Sequence, residues 1–501
     1  MNYPVWDAPI GYGILMGIIA VLHVFVSHFA IGGGLYLVVT ERRARRTGDA
    51  ETLGFLRRVS RFFVLLTLVF GALSGVGIWF IIGLLNPAAT EVLIHQFVWA
   101  WAIEWTFFVV EVAAALIYYY SWEKLAAREH LIIGWIYFTA AWLSLFVING
   151  IVTFMFTPGR WLQSGNFWDG FFNPTFWPSL LLRTGVCVML AGLYGLLLAA
   201  GEKAGDFKAK TVRSTAAWGF AGLVVTALSM AWYWKAIPAV VTVKAAQAMP
   251  FPMASMRLSI GLAVAIAIGL GIAASIWARR LPTAAAAVLL LLGLGWFGAF
   301  ETFRESIRKP YVLAGYVYGN GSLVSKVAET QKHGLLAGAT YRSGNDGADL
   351  FLQACRNCHT WTGYKPLKPA FDGTDPGFIT AVVRGTHLLR GNMPPFPGTP
   401  AEAEKLAAWL HARTDRRPLS DIHAGPGLGR AAFERRCGIC HALGSPGDKS
   451  KSFAGLSAED IGGLLDMSAD LGEGMPAYTG DAKERAALIT YLQELGRKVK
   501  P

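Results

Sequence analysis

The chain has 501 residues, 54% of them hydrophobic and 16% charged, with a net charge of +12. That charged share lies well below the roughly 25% of soluble globular domains, which excludes an ordinary soluble fold. A basic excess can signal nucleic acid. Here much of it sits in short loops between apolar runs, so it reads as membrane topology and no nucleic-acid partner is expected.

In chain order, eight apolar runs long enough to span a bilayer come first. They centre on about 10–40, 61–85, 92–121, 131–156, 178–200, 213–234, 258–278 and 283–303. The first is too long for a signal peptide and lacks a small-residue cleavage site, so it is expected to be retained. Four basic loops alternate onto one side. They hold Arg42 to Arg61, then Lys124 and Arg128, then Lys203 to Arg213, then Arg279 and Arg280. The positive-inside rule makes that side cytoplasmic. The N-terminus and everything after the eighth span then lie outside, on the periplasmic face of a cell inner membrane, with lipid as the surrounding partner. Of the outer loops, 158–178 is aromatic (Trp161, Phe167, Trp168, Phe171, Phe172, Phe176, Trp177) and reads as interfacial. The loop 235–256 contains Pro and Met and suits a cover over a site.

Ionisable side chains inside a bilayer are expensive and usually functional. Span one holds His23 and His28, span three Glu104 and Glu111, span five opens with Arg183, and span eight ends with Glu301, Arg304, Glu305 and Arg308. His95 and His130, near membrane edges, read as interfacial. His23, mid-run, reads as a ligand to a membrane haem iron. His28 lies about 140° round the helix from it and need not face the same cofactor. Glu104 and Glu111 are seven apart and share a helix face, which suits a proton path or a metal ligand. Cys187, in an apolar run, reads as buried and inert.

From about Gly319 the chain becomes polar and Gly-rich, which predicts a linker over 319–342. Two small helical domains follow, 343–415 and 424–501, similar enough to each other to read as a tandem repeat. Each opens with the same pattern: Cys355-Arg-Asn-Cys358-His359 and Cys437-Gly-Ile-Cys440-His441. C-x-x-C alone also suits zinc or dithiol chemistry. With the adjacent His it is the attachment signature of a c-type haem, two thiols bonding the vinyl groups and the imidazole holding the iron. After each motif comes a Met before Pro in a Gly-containing loop, Met393 and Met475, placed to bring sulfur to the sixth iron position. His387 and Met467 are the competing ligands. Four of the five cysteines are thereby assigned to haem and no disulfide is implied. Covalent haem attachment outside the cytoplasm agrees with the loop-charge topology.

Further motifs support a family resemblance. His23 is followed by Ile31-Gly-Gly-Gly34. Ala102-Ile-Glu104 precedes Glu111, Trp122-Glu-Lys-Leu125 precedes His130, and Asn149-Gly150 lies in the fourth span. Gly295-Trp296 precedes Glu301, Glu305 and Arg308-Lys-Pro-Tyr311. In order and spacing, residues 5–315 resemble subunit I of the cytochrome bd-type oxidases. The resemblance implies haem ligation by His23 and by a Glu at the end of span eight. The distance from Trp296 favours Glu301 and the Arg-x-Pro spacing favours Glu305. It also marks departures. Where the family's fifth helix supplies a His and its seventh a Met to a low-spin haem b, this chain has Arg183 and Ser259. The ninth helix is replaced by the two haem-c domains, and the outer loop before span seven is short and lacks the acidic residue expected for quinol oxidation.

The expected fold is all-α: a membrane bundle over 1–318, the linker, and two cytochrome c domains. The expected cofactors are two covalent haems c and one or two non-covalent membrane haems of b or d type. The expected function is electron exchange between an external donor such as a soluble cytochrome c, the c haems and the membrane haems. Dioxygen reduction is the favoured reaction, with Glu104 and Glu111 carrying protons. This is the activity of an oxidoreductase subunit with a second membrane subunit as partner. The alternative is a quinone-linked or purely anchoring subunit that wires a periplasmic redox enzyme.

Overall fold

The computed structural model describes residues 6–238, 241, 250–389, 392–445, 447–472 and 474–498. Part of the Pro- and Met-containing loop at 235–256 therefore lies outside the described residues.

Among the described residues, eight helices are long and apolar enough to cross a membrane: α1 (Tyr12–Thr47), α2 (Ala50–Leu85), α3 (Val98–Tyr120), α4 (Ala127–Phe156), α5 (Phe176–Ala200), α6 (Asp206–Ala236), α7 (Pro252–Ser275) and α8 (Thr283–Arg308). The apolar runs set their number, and tertiary packing sets their places. α5 is the central helix, with 78% of its most apolar stretch buried, against 11% for α2 and 17% for α3. α5 lies along α6, α1 against α5, α3 along α4 and α7 along α8.

Small residues let the central helices approach to backbone contact, as membrane packing requires. A Cβ on Gly192 would fall 2.2 Å from the Gly219 nitrogen, and one on Gly32 would fall 1.8 Å from the Cys187 carbonyl oxygen. α2 is not a regular helix. Residues Leu65–Gly71 form a π turn, which shifts the hydrogen-bond ladder in mid-helix.

The four basic loops lie together at one end of the bundle and are tied by ion pairs between Arg57 and Glu123, Arg58 and Glu202, Lys210 and Asp49, and Arg279 and Asp206. The N-terminus and the C-terminal region share the other end.

After α8 the chain folds back in a small antiparallel hairpin, Tyr311–Leu313 with Val317–Tyr318. The segment expected to be a linker is packed structure. Gly321 sits against Ala88 and Ala89. Val327–His333 is helical. Leu336 is buried in the next hydrophobic core, and the Leu335 and Leu336 amides both donate to Glu402 at 2.9 Å.

That core gathers Leu350, Phe351, Phe371, Ile379, Phe396, Leu406 and Leu410. Its helices are α9 (Asp346–Ala354), capped by Asn345, α10 (Pro376–Arg384), capped by Asp375, and α11 (Pro400–His411), opened by a Thr399/Glu402 capping box. A second core gathers Leu419, Leu428, Phe433, Ile461, Leu488 and Leu492. It is built on α12 (Leu428–Ala432), which runs into a π turn at Phe433–Cys437, on α13 (Ala458–Asp466) and on α14 (Ala482–Lys498). The first of its residues, Leu419, precedes the boundary expected at 424.

Candidate functional site

The two C-x-x-C-H motifs leave their helices in the same way. His359 and His441 each hold Nδ1 against a backbone carbonyl six residues on, that of Lys365 at 3.0 Å and that of Gly447 at 2.9 Å. An Nδ1–H donated to a carbonyl fixes the tautomer and leaves Nε2 as the ligating nitrogen. The donor set fits haem c: paired thiols, an oriented imidazole, and an apolar core beside each. Met393 and Met475 are half-buried. Their competitors face water, His387 in an exposed turn and Met467 with half its surface exposed.

In the membrane, His23 is built the same way by different means. Its Nδ1 lies 3.2 Å from the Gly71 carbonyl and 3.1 Å from Ser74 Oγ. Gly71 ends the π turn of α2. A π turn frees carbonyls from the helix ladder, and this one accepts from the imidazole. His28 faces elsewhere, as the 140° offset requires. Its Nδ1 meets the Val24 carbonyl at 2.7 Å, its ring packs on Phe297, and its buried Nε2 has no hydrogen-bond partner among the described residues.

Glu104 and Glu111 both face α4. Glu104 accepts from Ser144 Oγ at 2.9 Å, and Glu111 accepts from Tyr137 OH at 3.1 Å. Seven residues further along α3, Tyr118 OH donates to Glu41 at 2.6 Å, and His130 Nδ1 meets the same carboxylate at 2.8 Å. Positions 104, 111 and 118 of α3 thus pair with 144, 137 and 130 of α4, a polar seam that ends at Glu41. His130, expected at the interface, is fully buried here, because Glu41 and the Tyr118 carbonyl satisfy both its nitrogens. His95 is exposed, as an interfacial residue would be.

The span-eight carboxylates are each spent on neighbours. Glu301 pairs with Arg304 at 2.8 Å and lies 3.7 Å from Arg183. Glu305 pairs with Arg308 and, at 2.6 Å, with Lys309. Arg183 is buried in this network, and Ser259 donates to the Met256 carbonyl at 2.8 Å. Cys187 is buried. The structure thus brings His23 to α2 and the Glu pair to α4, and keeps Glu301 with Arg183. Sequence reasoning missed Glu41 and the Gly71 carbonyl. Glu41 lies on α1, outside the heptad register of α3 and α4, and nothing in the residue types announces the Gly71 carbonyl.

Residues 14–242 match the family of cytochrome bd terminal oxidase subunit I. Residues 342–410 and 426–492 each match cytochrome C oxidase, cbb3-type, subunit III. A solved structure of bd oxidase from Geobacillus thermodenitrificans superposes with a TM-score of 0.54 at 16% identity, over 63% of this chain and 90% of that one. At that identity the likeness concerns the fold. No curated protein matches the sequence.

Proposed function

We propose that this chain, a multi-pass, bd-oxidase-like membrane protein joined to two cytochrome c domains and made for electron transfer, takes electrons from a soluble donor and passes them through its c haems to a membrane haem that reduces dioxygen to water. The observation that supports this reading is His23, a half-buried imidazole of α1 whose Nδ1 lies 3.2 Å from the Gly71 carbonyl, so that an Nδ1–H tautomer would present Nε2 to iron. Haem supplies one-electron chemistry and, where a position is open, a place for dioxygen. The protein's own part is to orient ligands and move protons. His359 and Met393 would hold one c haem, and His441 and Met475 the other. Reduction of dioxygen consumes as many protons as electrons, and Glu104 and Glu111, each hydrogen-bonded to a hydroxyl of α4, hold protons along the route to the reacting centre. The absence of a ligating side chain at Arg183 and Ser259 speaks against a second low-spin haem there and against quinol as direct donor.

Spectra of the purified chain, with and without carbon monoxide, test this. A high-spin haem that binds carbon monoxide, besides two haems counted by intact mass, is expected. Only six-coordinate haems would favour a wire to another enzyme, and no covalent haem would end the reading altogether.

A further inference from the structure

The first C-x-x-C-H motif is not free at the surface. Its spacer residue Arg356 is 2% exposed and crosses to the bundle, where Nη2 donates to the Leu85 carbonyl at 2.6 Å. Leu85 ends α2, so this carbonyl is one of the orphan acceptors at the negative end of the helix dipole. Burial pulls the Arg356 guanidinium down to about 10, still protonated at neutral pH. Around it the contact is close. A Cβ on Gly363 would fall 2.2 Å from the Pro9 carbonyl oxygen, Gly11 lies against Thr360 and Tyr364, and Gly319 lies beside Cys358 Sγ. Asn86 Nδ2 holds the Gly319 carbonyl at 3.2 Å. The face of the first domain that bears the thioether cysteines is thus seated on the start of α1, the end of α2 and the hairpin after α8. These are the helices that build the His23 site: eleven residues, roughly 16 Å of helix, separate Tyr12 from His23.

The second domain is joined to the first. Arg435 donates to the Pro369 carbonyl and Arg436 to the Gly373 carbonyl, both at 3.0 Å. Thr479 Oγ1 donates to Asp375 at 2.5 Å. Leu388 packs on Gly474, next to Met475.

Resting on the functional reading above, we propose that the order of electron transfer is built into these seams: the second c haem meets the external donor, the first is the only relay into the membrane, and Arg356 is the positioning residue that seats it. Each step moves one electron, oxidising one ferrous haem and reducing the next ferric one, with no bond made or broken.

The test uses the full-length holoprotein, ferrous soluble cytochrome c as donor, and stopped-flow absorbance that separates c from membrane haem. In Gly363→Val, which presses on the seam without touching the motif, both c haems should reduce at the wild-type rate. Reduction of the membrane haem should slow about tenfold or more, since small misplacements are costly. The amides of Leu85, Asn86, Ala88 and Ala89 should exchange faster. Arg356→Gln should do the same. Met475→His, which lowers the potential of the second haem, should slow reduction of every other haem. A membrane haem that keeps its rate while the seam exchanges faster overturns the relay. So does an unchanged seam in both variants, and so does a Met475→His protein that reduces its first haem normally. A wild-type chain with two covalent haems and no membrane haem sinks the functional reading instead, and exchange in the two seam variants then still decides whether the seam exists.

Discussion

His23, His359 and His441 share one arrangement: each holds Nδ1 against a main-chain carbonyl, and as an Nδ1–H tautomer each would present Nε2 to the iron of the proposed haem. Partners of this kind are worth about 10- to 100-fold in metal affinity. His23→Ala should therefore lower the ratio of extractable to covalent haem, and Ser74→Ala should lower it less. Arg183→Ala should leave the ratio unchanged, because that side chain is engaged with Glu301. Loss of haem in Arg183→Ala but not in His23→Ala would show that the quinol-oxidising alternative is the better one. Met393→Ala and Met475→Ala should each abolish the near-infrared sulfur-to-iron band of one haem and lower its potential. An intact band would hand the ligand role to His387 or Met467. At this scale the sequence was most readable where chemistry dictates spacing, as in the two haem motifs. It was silent where spacing leaves freedom: covalent attachment needs nothing of the residues between the cysteines, so the reach of Arg356 to Leu85 could not be foreseen.

Helices were legible as apolar runs because a bilayer demands about 20 such residues in a row. The departures within them were not. The π turn at Leu65–Gly71 leaves hydropathy unchanged while it redirects a carbonyl to His23. The α3–α4 seam was half legible. Glu104 and Glu111 stood out, but Tyr118, Tyr137 and His130 join them only once α3 and α4 are laid side by side. Helix contacts at glycine carry a prediction of their own. Gly192→Leu forces side-chain volume against the Gly219 backbone, where no flexible side-chain end can give way. Overpacking of this kind costs about 1–3 kcal/mol or more. The variant should lose helical signal at a lower temperature than the parent, whereas Gly261→Leu on α7, where an added Cβ meets nothing within 4 Å among the described residues, should not.

At the scale of the molecule, the loop charges and the haem motifs argued separately for the same arrangement, and the structure places the basic loops at the end of the bundle away from the C-terminal domains. Protease added from the periplasmic side should release a haem-staining C-terminal fragment and spare the 41–61 loop; protection of that fragment would reverse the orientation. The packed segment between α8 and the first c domain has a consequence for kinetics. A carrier that must diffuse to its acceptor works at a rate set by its concentration, whereas one held on the same chain meets it at an effective concentration that geometry sets, of millimolar order even for short flexible tethers. Here the connection is packed, with the hairpin Tyr311–Leu313/Val317–Tyr318 paired and Gly321 seated on Ala88 and Ala89. On the proposed electron route, transfer into the bundle should be first order, with a rate that stays constant as the protein is diluted in its membrane or as free cytochrome is added.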